Sequence, residues 1–201
     1  MRRAALFFAF AAIAAEAPQR MEIQLERKAS SGWSAVDPST VFRAGDLVRF
    51  RFRASFPGYL YVINHGTSGK SAVLFPANDS GRENRVEANR DYLVPATSGA
   101  FRITGPAGHD VLVWVVSASP LAREAAPPAP AEGPARDLAP RCNDAIFRTR
   151  GDCVDDNAGP KAAPSQRSRD LIFIRRDKLS VISSASPIGE PVLYEYRLAH
   201  K

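Results

Sequence analysis

From Val41 to Pro120 the chain is a succession of short hydrophobic runs, each closed by Gly, Pro or Asn. The clearest is Leu47-Val48-Arg49-Phe50-Arg51-Phe52-Arg53. Its period of two puts Val48, Phe50 and Phe52 on one face of a strand and Arg49, Arg51 and Arg53 on the other. Met21 to Glu26 alternates in the same way, and Tyr59–Ile63 and Ser71–Phe75 predict two further strands. Arg85–Glu87, Asp91–Val94 and Phe101–Thr104 are shorter candidates. Val111 to Val116 is apolar throughout, which predicts a central strand covered on both faces. Turns are expected at Gly32-Trp33 and Asp37-Pro38, at Gly45-Asp46, at Pro57-Gly58, at Asn64-His65-Gly66 and at Gly105–Gly108. Helical periodicity is almost absent. The pattern predicts an all-β fold, an antiparallel β-sandwich of the immunoglobulin-like kind.

The composition changes abruptly after Pro120. Ala125-Ala126-Pro127-Pro128-Ala129-Pro130 cannot build a core strand, because proline supplies no ladder donor. Residues 121–168 therefore read as a flexible Pro/Ala-rich insertion, with a second loose patch at 158–168. Strand signals return at Leu171–Ile174, Leu179–Ile182 and Pro191–Leu198. Three runs are too few for a comfortable separate domain. The expected organisation is a main sandwich over 18–120, the insertion, and C-terminal strands over 169–201 that rejoin the sandwich.

The first residues carry a different signal. Met1-Arg2-Arg3, the apolar run Ala4–Ala15 and the small residues after it have the order of a secretory signal peptide over 1–17, cleaved after Ala14 or Ala17. The run is too short to span a bilayer. Export, to a bacterial periplasm or the exterior, is the expected destination. The two cysteines, Cys142 and Cys153, then read as one disulfide rather than a redox pair or a zinc half-site. The formal charge is +6. Removing Arg2 and Arg3, with or without Glu16, leaves about +4 or +5. The remaining charges alternate in sign, so no nucleic-acid partner is expected.

Six pieces occur in order: Val41-Phe42-Arg43-Ala44-Gly45-Asp46, Gly58-Tyr59-Leu60-Tyr61-Val62, Leu74-Phe75-Pro76, Asn84-Arg85-Val86, Val94-Pro95 and Gly105-Pro106-Ala107-Gly108. Together they resemble the bacterial family called domain of unknown function 4384, over about Trp33 to Ser119. The resemblance implies an exported or envelope-linked chain. His109-Asp110 departs from the acidic pattern expected before the last core strand. The family's function is unassigned, so no catalytic residue is carried over.

The chemistry-bearing residues give little. Gly66-Thr67-Ser68-Gly69 has the wrong spacing for a nucleophile elbow and reads as a turn. His65, His109 and His200 are placed in turns or at the terminus, with no His-x-x-x-His pair for zinc. Asp152, Asp155, Asp156 and Asn157, and separately Asn78, Asp79 and Glu83, lack calcium-loop order. Asn84 could tie a loop to the sheet edge through its side-chain amide. No cofactor is expected. Arg49, Arg51 and Arg53 form a row with about 6.5–7 Å between members, a possible surface for an anionic ligand. Trp33, Tyr59, Tyr61 and Tyr92 could supply an aromatic platform nearby. The sequence reading is a non-catalytic exported binding or accessory module, its partner an envelope protein or an anionic glycan. The alternative is a secreted hydrolase whose site assembles only in three dimensions.

Overall fold

In Leu47–Ala54 the alternation is realised as read: Val48, Phe50 and Phe52 are fully buried and the arginines between them turn outward. The computed structural model describes residues 18–76, 84–96, 99–120, 139–142, 153–163, 171–184 and 188–201. The signal-peptide segment 1–17 and most of the Pro-rich stretch lie outside the described residues, as do Asn78, Asp79, Glu83 and Asp152.

Thirteen strands are described: β1 (Gln19–Ala29), β2 (Gly32–Ala35), β3 (Leu47–Ala54), β4 (Gly58–His65), β5 (Ser71–Phe75), β6 (Arg85–Val86), β7 (Asp91–Val94), β8 (Phe101–Arg102), β9 (Gly108–Ser117), β10 (Gly159–Ala162), β11 (Leu171–Arg176), β12 (Leu179–Ser184) and β13 (Val192–His200). They form two antiparallel sheets, an all-β sandwich. One sheet runs β11-β12-β1-β3-β7, with β2 on β1 and β8 on β3. The other runs β10-β13-β9-β4-β5, with β6 on β4.

From Leu112 on β9 is buried on both faces, as its unbroken apolar run requires, and it lies between β4 and β13 in its sheet. β13 pairs with it along its whole length, from Val192 opposite Val116 to His200 opposite Gly108. The inward side chains meet as one aromatic layer. Phe50 contacts Trp114 edge-on at 5.6 Å and Tyr196 at 4.9 Å, and Trp114 stacks on Tyr194 at 5.9 Å. Such pairs add to plain area burial.

Local chemistry sets the joints. Gly58 starts β4 where a Cβ would come within 2.7 Å of the Ser117 carbonyl oxygen, so the close approach of β4 to β9 excludes a side chain there. Gly45, at φ 92°, turns the chain into β3, while Asp46 Oδ2 accepts from the Arg43 amide at 2.9 Å. The Phe75-Pro76 and Val94-Pro95 peptides, at the ends of β5 and β7, are cis. Asn84 does tie the β6 arm to β4, but with its main-chain oxygen, which accepts from the Leu60 amide at 2.8 Å; its buried side-chain nitrogen has no partner.

Several elements differ from the sequence reading. Gly32–Ala35 is a strand rather than a turn, paired so that Trp33 faces Lys28. Gly159–Ala162, in the stretch expected to be loose, forms β10 on β13. Pro160 is tolerated because β10 is an edge strand. The disulfide between Cys142 and Cys153 is present. Its Cys153 end is built into the body: the Val41 amide donates to the Cys153 carbonyl at 2.7 Å and the Asp155 amide to the Ser39 carbonyl at 2.9 Å. Val41, Ala158 and Ala199 pack there as a small second core.

A chain ended after Pro120 would lack β13 and leave Trp114 and Phe50 without their tyrosine neighbours. It is expected to show no cooperative urea transition by tryptophan fluorescence, whereas the full chain shows one. A sigmoidal transition in the shortened chain would refute the requirement for β13.

Candidate functional site

The arginine row lies on the outer face of the β11-β12-β1-β3-β7 sheet, where the register sets Arg49 opposite Glu26, Arg51 opposite Gln24 and Arg53 opposite Glu22. Glu26, itself buried, takes Arg49 through Nε at 2.5 Å and Arg51 at 3.3 Å. Arg51 also reaches Asp91 at 3.3 Å, and Arg53 lies 4.0 Å from the same carboxylate. Trp33 lies under the Arg49 guanidinium at 4.2 Å. The row's charge is largely spent within its own sheet. Of the other proposed platform aromatics, Tyr92 packs edge-on against Phe75 and accepts a bond from the Glu87 amide. Tyr59 and Tyr61 are half-buried on the opposite sheet, so the four rings do not form one platform.

The histidines fall in strands, not turns. His65 ends β4, His109 is the second residue of β9 and His200 ends β13. Each finds a different neighbour. His65 Nδ1 lies 2.8 Å from Ser71 Oγ, and its buried Nε2 has no partner. His109 Nε2 lies 3.2 Å from Asp155, whose carboxylate also accepts from the Arg141 and Asn157 amides. His200, fully buried, directs one nitrogen, Nε2, at both Asp110 (3.2 Å) and Thr67 Oγ1 (3.4 Å). A proton relay needs acid and nucleophile on opposite ring nitrogens. Since the Thr67 amide also donates to Asp110 at 2.8 Å, this group is a tether that fixes the β4–β5 turn to β9 and β13. No group of three or more His, Cys, Asp or Glu among the described residues could hold a metal ion.

A convergence that the sequence reading missed lies on the side where β10 and β11 end their sheets. The chain segment after β2 brings Asp37, Pro38 and Ser39 there, and Arg175 of β11 meets them. Its guanidinium is ion-paired to Asp37 and donates to Ser39 Oγ at 3.1 Å, while the Ser39 amide donates to Asp37 at 2.8 Å. Arg175 divides two depressions. The larger, about 680 Å³, is lined by Arg27, Ser34, Asp37, Thr40, Asp177 and Lys178 among others. The smaller, about 210 Å³, lies between β10 and β11 and is lined by Ser39, Asp156, Lys161, Phe173, Arg175 and Ser180 among others. Arg27 and Lys178 have no carboxylate partner among the described residues, so the groove presents two uncommitted cations beside the Arg175–Asp37 pair.

The edge itself is apolar. Ile172 and Ile174 are 55% and 38% exposed, unusual for large aliphatic residues on adjacent outward positions. β11 joins β12 through the two-residue turn Asp177-Lys178, with Asp177 at φ 50°. In such a hairpin the closing pair, Arg176 and Leu179, exchanges both bonds, and the pattern then alternates. Leu171, Phe173 and Arg175 therefore turn their main-chain groups to the open edge, where no described strand pairs with them. Sequence carried one clue: four consecutive apolar residues, 171–174, predict burial on both faces, and only a missing neighbour leaves two of them exposed.

Residues 41–120 match the family described as Domain of unknown function (DUF4384). No curated protein and no solved structure matches the chain. Every residue named above as lining the two depressions lies outside residues 41–120. Among the described residues no helix is long and apolar enough to cross a membrane.

Burial lowers the proton affinity of His65 from the ordinary imidazole pKa of 6.5. Below that value the unfolded chain takes up a proton that the folded one resists. The contribution is whole above pH 6.5 and is lost as pH falls towards the folded value. Thermal melts between pH 7 and 5 should show the native protein losing more stability than His65→Asn. Parallel losses would show that His65 is not responsible.

Proposed function

We propose that the protein is a non-catalytic, exported binding module whose partner, an envelope protein, lays an extended acidic segment along β11. The observation that carries this reading is the pair of exposed isoleucines, Ile172 and Ile174, on a strand edge with open main-chain groups. Strand addition satisfies both at once: the main chain supplies affinity and alternate side chains supply selection. Charge complementarity points to acids in the segment, because Arg175 and Arg176 lie on the strand, Lys178 is in its turn and Arg27 lines the adjoining groove. Export is supported by the basic, apolar, small-residue start of the chain and by the Cys142–Cys153 disulfide.

The test uses a display library of eight-residue peptides with β-branched residues at alternate positions and the others random. Selection on the native protein should enrich Asp and Glu, with binding abolished in Ile172→Glu/Ile174→Glu and retained in Arg51→Gln/Arg53→Gln. Both pairs are exposed or half-exposed, so folding should survive, which a thermal melt checks. Recovery of the same peptides by the isoleucine variant would overturn the reading. Binding of heparin that disappears only in Arg51→Gln/Arg53→Gln would instead assign the ligand surface to the arginine row.

A further inference from the structure

We infer that the small cavity between β10 and β11 is a subsite for one carboxylate side chain of the segment that β11 takes, an inference that rests on the strand-addition reading above. Side chains of an added strand alternate between the two faces of the sheet. Those on the inward face fall on the side where Phe173 and Arg175 border this cavity. Its interior is already polar. Ser180 is 1% exposed, lines the cavity, and its hydroxyl has no hydrogen-bond partner. Tyr196, buried beside it, is also unsatisfied; Ser180 is near enough to act on the phenol, yet the approach falls short of a regular bond. Buried hydroxyls left in this way are rare and costly unless something completes them.

The donors surrounding the space share one demand. Among the described residues Lys161 Nζ bonds the main-chain oxygen of Asp156, at 2.8 Å, and has no carboxylate partner. Arg175 presents its guanidinium at the rim, beside Ser39 Oγ. A group placed between Lys161, Arg175 and Ser180 meets the Lys161 ammonium, the Arg175 guanidinium that Asp37 also engages, and a hydroxyl able to donate, which suits an ionised carboxylate, an acceptor only. An apolar side chain would leave Ser180 unsatisfied, and a basic one would face Lys161 and Arg175. Pro38, Pro160 and Phe173 supply apolar walls for the methylenes of an Asp or Glu. Asp156 also lines the cavity, so the carboxylate must sit on the Lys161–Arg175–Ser180 side.

The probe is a fluorescein-labelled peptide from the display selection, read by anisotropy against the native protein and Lys161→Gln. Each Asp or Glu of the peptide is replaced singly by Asn or Gln. One replacement should weaken binding to the native protein by about tenfold, and by no more than about twofold to Lys161→Gln, the signature of a coupled pair. Ser180→Ala should weaken the acidic peptide and leave its amide counterpart unchanged. Lys161 is a partly exposed edge residue bonded to one turn carbonyl, so its removal should not unfold the protein. If every amide replacement has the same effect on both proteins while Ile172→Glu/Ile174→Glu still abolishes binding, the subsite is wrong and the edge reading stands. If the isoleucine variant binds the peptide like the native protein, the edge reading fails and the subsite with it.

Discussion

The aromatic layer formed by Phe50, Trp114, Tyr194 and Tyr196 is the contact on which the rest of the sandwich depends. Its members come from β3, β9 and β13, so the same few rings hold the two sheets together and fix β13 between β10 and β9. The layer is not free of cost. Trp114 Nε1 and the Tyr194 and Tyr196 hydroxyls are buried without partners, and burial raises the proton affinity of both phenols. Each unsatisfied group opposes folding by roughly 1–3 kcal/mol. Large rings of this size recover that through area and edge-to-face packing. The trade explains only in part why the interior tolerates tyrosine where phenylalanine would be simpler: the Tyr196 hydroxyl also lies near Ser180 and within electrostatic reach of Arg175 and Asp37.

Fixing β13 inside its sheet has a second consequence. The segment Thr40–Ala44 is drawn between the disulfide arm and the chain end: Thr40 bridges Val154, the Phe42 amide donates to the Ala199 carbonyl, and the Lys201 amide donates back to Phe42. The N-terminal flank, the disulfide arm and the C-terminal strands are thus interlocked at one corner. That corner is where Asp37, Ser39, Lys161 and Arg175 converge. The matched family segment supplies much of the two sheets, and the flanking segments supply the groove.

How much of this was legible depends on the range of the interaction. Strands with a clean period of two, such as Leu47–Ala54 and residues 21–25 of β1, lie where the alternation put them, because one face of each had to be buried. Val111–Val116 declared its central place by having no polar face. β10 was hidden, since Gly159-Pro160-Lys161-Ala162 has no strand-like residues and is held only by pairing with β13. His65 was misplaced for a related reason: Asn64-His65-Gly66 looks like a turn, yet pairing with β5 and β9 extends β4 through His65. The Arg49–Glu26 and Arg51–Glu26 pairs followed from register, which alternation alone does not supply. The Arg175–Asp37 pair joins residues far apart in the chain, and nothing local marks either one.

The two sides of the sandwich are finished differently, and the difference bears on what each side is for. On the β5–β7 side the sheets are tied together: the Ala96 amide donates to the Leu74 carbonyl at 2.9 Å, and Phe75 meets Tyr92 edge-on. On the β10–β11 side a cavity stands between the layers and the edge carries exposed isoleucines. An open apolar edge is a hazard, because any extended chain could pair with it. Here the hazard is limited by charge. Arg175 and Arg176 at the end of β11, with Lys178 in its turn, oppose a basic strand laid along the edge. On the strand-addition reading proposed above, the same charges would favour an acidic strand over a basic one.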